Sequence, residues 1–258
     1  MKISELSRKH RNLIRSLRTR HGRKKSGCCL CEGERAVSEL LTRRPELVRF
    51  LAATGRGLAA LRREPECETA VLDEAAFAGI AGTVTPQGVL AVASVPPEAA
   101  EEEAESEPFL LALDGVGDPG NFGTICRTLR AAGLGTLWYT KGSVDPFGDK
   151  AIRSAMGAQF TLKLRAFETL EELRAAAGRV GFRRFFVTDP HDGASCFAVS
   201  GLFDRSVVVI GGEANGATML ENASHVRIPM PGEFESLNAA QAATVFLFEY
   251  VRRSLNAV

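Results

Sequence analysis

Residues 110–133, LLALDGVGDPGNFGTICRTLRAAG, hold Gly115, Gly117 and Gly120 at G-x-G-x-x-G spacing. Glycines placed after an apolar run and before an amphipathic helical pattern can cradle a dinucleotide pyrophosphate at a helix N-terminus. That chemistry also asks for an acid about 20 residues on, to take the ribose hydroxyls. The next apolar run ends LWYTKGSVD, with Lys141 near that place and no acid at 136–141. Binding of a nicotinamide or flavin therefore rests on the glycines alone. Beyond them, Asn121 reads as an N-cap. Phe122, Ile125, Cys126, Leu129 and Ala132 then share one helical face, leaving Gly123, Thr124, Arg127 and Arg130 on the other. On spacing alone Arg127 is a solvated helix arginine. Its place one to two turns from a strand end, where open α/β sheets collect ligands, makes it a candidate contact.

Further clusters follow other apolar runs. IGGEANG (210–216) succeeds SVVVI and sets Glu213 in a glycine-rich turn. RIPMPGEFESLNAAQ (227–241) carries Pro229, Pro231 and Gly232 in a loop, with Ser236 placed to cap the last helix and Asn238 in its first turn. VDPFGDKAIRSAMGAQF (144–160) sets a Pro-Gly turn before a helix holding Ser154 and Gly157. Each alone is a loop and a cap. Together, at the ends of successive strands, they converge on one site.

These segments need a scaffold. From Pro108 onward, strand-like runs (FLLALD, GTLWYT, TLKLRAF, RRFFVTD, SVVVIGG, VRIPM) alternate with helical ones (FGTICRTLRAA, DKAIRSAMGA, ETLEELRAAAG, LNAAQAATVFLFEYVRR). That alternation predicts a largely parallel sheet covered by helices on both faces, over 108–258. Residues 1–95 mix a basic helix, a strand near 28–32, a helix around ERAVSELLTRR and shorter runs such as TAVLD and GVLAVASV, predicting a small α/β domain. Residues 96–107, PPEAAEEEAESE, are acidic and nearly without large apolar side chains, and read as a solvated linker.

A net charge of +1 hides a strong asymmetry. Residues 1–25 hold ten Lys and Arg against Glu5, whereas 98–107 hold six Glu and no base. A polyanion-facing N-terminal surface is implied, with Lys9, Arg11, Arg15, Arg18, Arg20, Arg23, Lys24 and Lys25 as candidate contacts. The same segment, Arg-rich with Ile3, Leu6, Leu13, Ile14 and Leu17 at roughly helical spacing, also has the look of a mitochondrial transit peptide. The pattern runs straight into a strand-like segment, which favours a helix that belongs to the fold. No stretch approaches the ~18 apolar residues of a membrane span. The six cysteines include Cys28-x-x-Cys31, but no second pair stands at zinc spacing and the four histidines are scattered. SGCCLCEGER reads as a buried strand with Cys as a small hydrophobe, no metal is expected, and this cysteine usage suits a reducing cytoplasm.

NFGTICRTLRAAG, VVIGGEANGA and IPMPGEFESLNAAQAATVFLFEYVRR resemble, in identity, order and spacing, the three motifs of the SpoU (TrmH-type) RNA ribose 2'-O-methyltransferases of the SPOUT superfamily. GSVDPFGDKAIRSAMGAQF is similar to the segment those enzymes carry between the first two motifs. KHRNLIRSLRTRHGRKKSGCCLCEGERAVSELL is similar to their L30e-like RNA-binding domain, although CCLCEGER stands where bulkier residues are usual. The resemblance implies a trefoil knot in the C-terminal domain, a homodimer, and S-adenosylmethionine held against the knot loops by Gly211, Ile228 and Leu237, with Thr188, Met230 and Ser236 nearby. It implies a catalytic set of Asn121, Arg127, Glu213, Ser236 and Asn238, and an RNA substrate, ribosomal (23S) by analogy rather than tRNA. Removal of residues 1–25 is then expected to weaken RNA binding and flatten its salt dependence. The rivals at this point are a tRNA methyltransferase of the same family, a Rossmann-type oxidoreductase on the glycine turn, and a non-catalytic RNA-binding or ribosome-assembly module.

Overall fold

The structure, a computed structural model, describes residues 2–233 and 235–255, with side chains from residue 5. Backbone contacts divide the chain into two compact units: Met1–Pro97 with Asp145–Thr161, and Glu98–Val144 with Leu162–Val258.

In the first unit β1 (Lys2–Ser4) leads to α1 (Arg8–Leu17) and α2 (Arg20–Ser26), capped by the hydroxyls of Ser7 and Thr19. β2 (Cys28–Glu32) and α3 (Glu34–Arg43) follow, then β3 (Val48–Thr54), α4 (Gly55–Ala59), β4 (Glu68–Leu72), α5 (Glu74–Ala78) and β5 (Val89–Ser94). The strands form a mixed sheet in the order β1-β4-β3-β5-β2. Strand alternation sends Cys29 and Cys31 to one core, with Val37, Leu40 and Leu51, while Cys28 and Leu30 face the other, with Ile14, Leu17 and Phe77. All six cysteines are free thiols; burial pushes Cys29, Cys31 and Cys126 well above the ordinary range.

In the second unit β6 (Leu110–Asp114), α6 (Pro119–Ala131) and β7 (Thr136–Thr140) open the motif-bearing region. The chain then leaves through α7 (Asp149–Ala155), which belongs to the first unit, and returns as β8 (Lys163–Phe167). α8 (Leu170–Arg179), β9 (Arg184–Thr188), the short β10 (Ala194–Ser195), β11 (Ser206–Gly211), β12 (Ser224–Arg227) and α9 (Ala239–Leu255) complete it. The sheet has seven strands, all parallel, in the order β10-β12-β9-β11-β6-β7-β8. Leu110, Ala112, Val207, Val209 and Trp138 face α8, whose Leu170, Leu173, Ala176 and Ala177 cover them. Leu111, Leu113, Val208 and Ile210 alternate to the opposite face, where α9 packs on β11 and α6 on α9.

The boundaries differ from the sequence reading in two places. Residues 145–161 pack with the first unit because Ile152 and Phe160 bury their side chains among Cys29, Val37 and Leu51. Residues 96–107 are not a solvated linker: Ala99, Ala104 and Glu107 are buried, and Glu101 accepts hydrogen bonds from Arg165 (3.1 Å) and Arg179 (2.8 Å). Composition alone hides this, since acids that find arginines need not be solvated.

Ion pairing also settles part of the basic run. Arg23 is buried, with its Nε 2.9 Å and Nη2 2.6 Å from Asp145 Oδ2 and its Nη1 donating to the Leu17 carbonyl (2.9 Å). Half-buried Arg18 pairs with Asp149 (3.4 Å) and donates to the Ile80 carbonyl. Neither is free for a polyanion. Leu6, Ile14 and Leu17 are core, so α1 is part of the fold. Asp145→Ala leaves the Arg23 guanidinium buried without its carboxylate. It is expected to cost about 2–3 kcal/mol of unfolding free energy in a denaturant titration, near the low end for a broken buried pair because Asp145 keeps some solvent exposure.

Candidate active site

The site is built where β6, β7 and β11 end. Asp114, the last residue of β6, is buried and ties three loops together. Its Oδ1 accepts the Thr140 hydroxyl (2.8 Å), its Oδ2 the Thr218 amide (2.7 Å), and its carbonyl the Gly212 amide (2.8 Å). Two glycines allow this closure. A Cβ on Gly212 would lie 2.1 Å from the Gly115 carbonyl oxygen, and one on Gly211 2.1 Å from the Ala217 amide nitrogen. Gly115 itself takes a φ of +71°, open to glycine but not to most side chains. The glycine turn thus serves backbone-to-backbone packing.

α6 starts at the loop after β6. Asp118, rather than Asn121, is its N-cap, accepting the Asn121 amide at 2.8 Å, and Pro119 takes the first helical position. This frees the Asn121 side chain. Its Nδ2 donates to the Glu213 carboxylate, and its Oδ1 accepts from Asn238 Nδ2 at 3.0 Å. Asn238, not Ser236, caps α9: its Oδ1 accepts the amides of Ala240 (2.9 Å) and Gln241 (3.4 Å). Residues 92 and 117 positions away from Asn121 therefore meet in one chain of hydrogen bonds, Asn238–Asn121–Glu213. Each amide orientation is dictated by its partners.

Beside this chain runs a cleft of about 330 Å³. Gly211, Ile228, Leu237, Thr188, Met230 and Ser236, the six expected cofactor contacts, all line it, as do Glu213 and Asn238. Its wall is mainly apolar side chain interrupted by glycine backbone, and the chain between β12 and α9 forms one side of it. Arg127 does not line the cleft. It is exposed on α6, and among the described residues no side chain pairs with it. Asp114 is the site residue that sequence reading misses; its only signal is an acid ending a wholly apolar strand.

In the first unit Lys9, Arg11 and Arg15 on α1, and Arg20, Lys24 and Lys25 on α2, are exposed. Among the described residues no group of His, Cys, Asp or Glu could hold a metal, and no helix is long and apolar enough to cross a membrane.

Comparison with known proteins decides what this arrangement belongs to. Residues 108–248 match the model of the SpoU rRNA Methylase family, and residues 12–91 that of an MRM3-like substrate binding domain. The chain belongs to the SpoU rRNA methylase family. The 23S rRNA (guanosine(2553)-2'-O)-methyltransferase RlmP of Bacillus subtilis is 30% identical over 240 residues, covering 91% of this chain and 92% of the relative. The 23S rRNA (guanosine-2'-O-)-methyltransferase RlmB of Xanthomonas axonopodis pv. citri is 32% identical over 192 residues, 70% of this chain and 76% of that one. Among solved structures, the SpoU methyltransferase AviRb from Streptomyces viridochromogenes, in complex with AdoMet, superposes with a TM-score of 0.80 at 25% identity, covering 97% of this chain and 100% of that one. The oxidoreductase reading of the glycine turn is set aside accordingly.

In this SpoU methylase Asp114→Ala removes two acceptors and strands the Thr218 amide. A drop of about 2–3 kcal/mol in unfolding free energy is expected by denaturant titration. A variant as stable as the parent would show that the three loops hold together without it.

Proposed function

We propose that this chain transfers a methyl group from S-adenosylmethionine to a ribose 2'-hydroxyl of 23S ribosomal RNA. The observation that carries the reading is the Asn238–Asn121–Glu213 chain beside the cleft of Gly211, Ile228, Met230 and Leu237, in a chain of this family. The cleft fits the donor on its own chemistry: apolar side chains for a purine and for methylene groups, glycine backbone for hydrogen bonds to a purine edge, and a volume in the range of small-molecule sites, ~300–1,000 Å³.

When bound, S-adenosylmethionine supplies a sulfonium-borne methyl group for in-line transfer. The remaining work is positional. Asn121 is fixed from both sides, so the carboxylate of Glu213 and the amide of Asn238 keep constant directions at the mouth of the cleft. Ser236 adds a hydroxyl there. Arg127 lies six residues beyond Asn121, about 9 Å along the helix. A guanidinium cation has no lone pair free to take a proton and is a poor base. We assign it instead to a bidentate hold on a substrate phosphate and to steadying the 2'-oxyanion, with the proton leaving to phosphate or water. Arg127→Lys keeps the charge and removes the fork. Its kcat is expected to fall about a hundredfold with donor affinity unchanged by calorimetry. A near-parental rate with the parental pH profile would dismiss the bidentate role.

RNA is bound through the exposed bases of α1 and α2. Because those helices are core, the test is neutralisation rather than deletion: Lys9, Arg11, Arg15 and Arg20 changed together to Gln. The slope of log affinity against log salt should shrink by about 0.7–0.9 for each RNA phosphate that is no longer neutralised, with unfolding unchanged. The enzyme is also proposed to be a cytoplasmic homodimer with a knotted C-terminal region. Phe248, exposed on α9, gives the dimer apolar surface.

A further inference from the structure

The first unit contains a second cavity, of about 490 Å³, that the methyl-transfer site does not account for. It is walled by the start of α3 (Gly33, Glu34, Arg35, Ala36), by Thr83, Thr85 and Gln87 of the loop before β5, and by Arg153 and Met156 of the α7 segment. Three of the side chains lining it, Arg35, Gln87 and Arg153, offer donors. Arg153 Nη1 is buried and has no hydrogen-bond partner among the described residues. Asp149, one turn earlier on α7, pairs with Arg18 through Oδ2 at 3.4 Å, while its Oδ1 is buried without a hydrogen-bond partner among the described residues. Arg35, exposed and unpaired among the described residues, brings a second guanidinium to the lining. Gln87 uses its Oε1 to accept the Glu34 amide (3.0 Å), which leaves its Nε2 to donate. Of the two acids, Glu32 is spent on the Gly82 amide (2.7 Å) and the Thr83 hydroxyl (2.6 Å); Glu34 is half-buried at the helix start. A buried guanidinium nitrogen without an acceptor is rare in folded proteins and calls for a ligand or ordered solvent.

The backbone around the cavity is also unusual. Met156 holds a φ of +52°, a left-handed conformation that side chains seldom adopt, and the following Gly157 a φ of +80°. Such a turn ends α7 and sets a flexible apolar side chain in the cavity wall. Two arginines for a phosphate, an amide donor for carbonyl or ring-nitrogen acceptors, and a polarizable methionine for a base face make up a nucleotide-sized inventory.

Given the RNA methyltransferase reading on which this rests, we infer that the cavity of Arg35, Gln87, Arg153 and Met156 receives one splayed-out nucleotide of the RNA substrate, a recognition point distinct from the nucleotide that is methylated. Unstacked nucleotides in loops and bulges are where proteins read RNA, so such a pocket would select the RNA rather than perform chemistry on it.

The test uses the full chain with Arg35→Gln, Gln87→Ala and Arg153→Gln made singly. Affinity for a 23S ribosomal RNA fragment carrying the methylation site is measured by fluorescence anisotropy across salt, alongside S-adenosylmethionine affinity and thermal unfolding. The pocket requires that each variant bind the fragment about five- to thirtyfold more weakly, that only the arginine variants flatten the salt slope, and that donor affinity and Tm stay put. Unchanged RNA affinity in all three would overturn it. So would a weakening confined to Arg153→Gln with a lowered Tm, since that marks a purely structural arginine. A parent chain that binds neither the donor nor the fragment defeats the methyltransferase reading itself, and the pocket falls with it; a parent that methylates while the variants bind normally defeats the pocket alone.

Discussion

Backbone pressed against backbone is the constraint on which the catalytic unit depends. The loop after β11 passes so close to the loop after β6 that a single methyl on Gly212 would occupy the Gly115 carbonyl, and it folds on itself so tightly that one on Gly211 would occupy the Ala217 amide. Loops this close carry peptide groups that cannot all be solvated, and each needs a named partner. Asp114 provides several at once, joining β6 to the loops after β7 and β11. A carboxylate suits the place because it accepts through both oxygens and never competes as a donor. The site residues inherit their precision from this closure.

Given fixed loops, a chain of two amides and a carboxylate acquires a single sense. Asn238 Oδ1 is committed to helix amides, so its Nδ2 must donate; Asn121 Oδ1 accepts it, so its Nδ2 must point at Glu213. No rotation of either amide satisfies all partners. A helix cap is thereby part of the hydrogen-bonded chain beside the cleft, and the cap of α9 and the direction of the Glu213 carboxylate are linked through Asn121. The arrangement holds its polar groups in fixed directions. It fits a reaction in which alignment supplies much of the acceleration and one proton must leave.

Much of this is legible in the sequence, for reasons that can be named. Parallel strands buried on both faces give continuous apolar runs, and LLALD, TLWYT and SVVVIG stand out for that reason. The residues lining the cleft can be picked out because the motifs follow those runs at the ends where ligands bind. What stays hidden is local chemistry that depends on a distant partner. Asn121 and Ser236 have the types of good caps, but Asp118 and Asn238 take the positions because they stand within one helical turn of the amides they cap. Arg18 and Arg23 look like the other bases of the N-terminal run; only Asp145 and Asp149, more than a hundred residues away, distinguish them. The glutamates of 98–107 mislead for the same reason, since Arg165 and Arg179 lie far along the chain.

The insertion between β7 and β8 shows how one sequence signal can serve two purposes. Its helix is evident from the sequence, yet its apolar residues, Ile152 and Phe160, complete a core otherwise built from the first hundred residues, and its Asp145 neutralises a guanidinium already buried there. The polypeptide therefore crosses between the units at Pro97, Val144 and Thr161 rather than once. A single flexible linker would leave each unit free to fold alone. Here the first unit lacks part of its core and the counter-charge of Arg23 until the chain has passed through β6 and β7. The cost of a buried, unpaired arginine makes that dependence thermodynamic and not merely topological. The first unit's core is thus complete only in a chain that continues through residues 145–161.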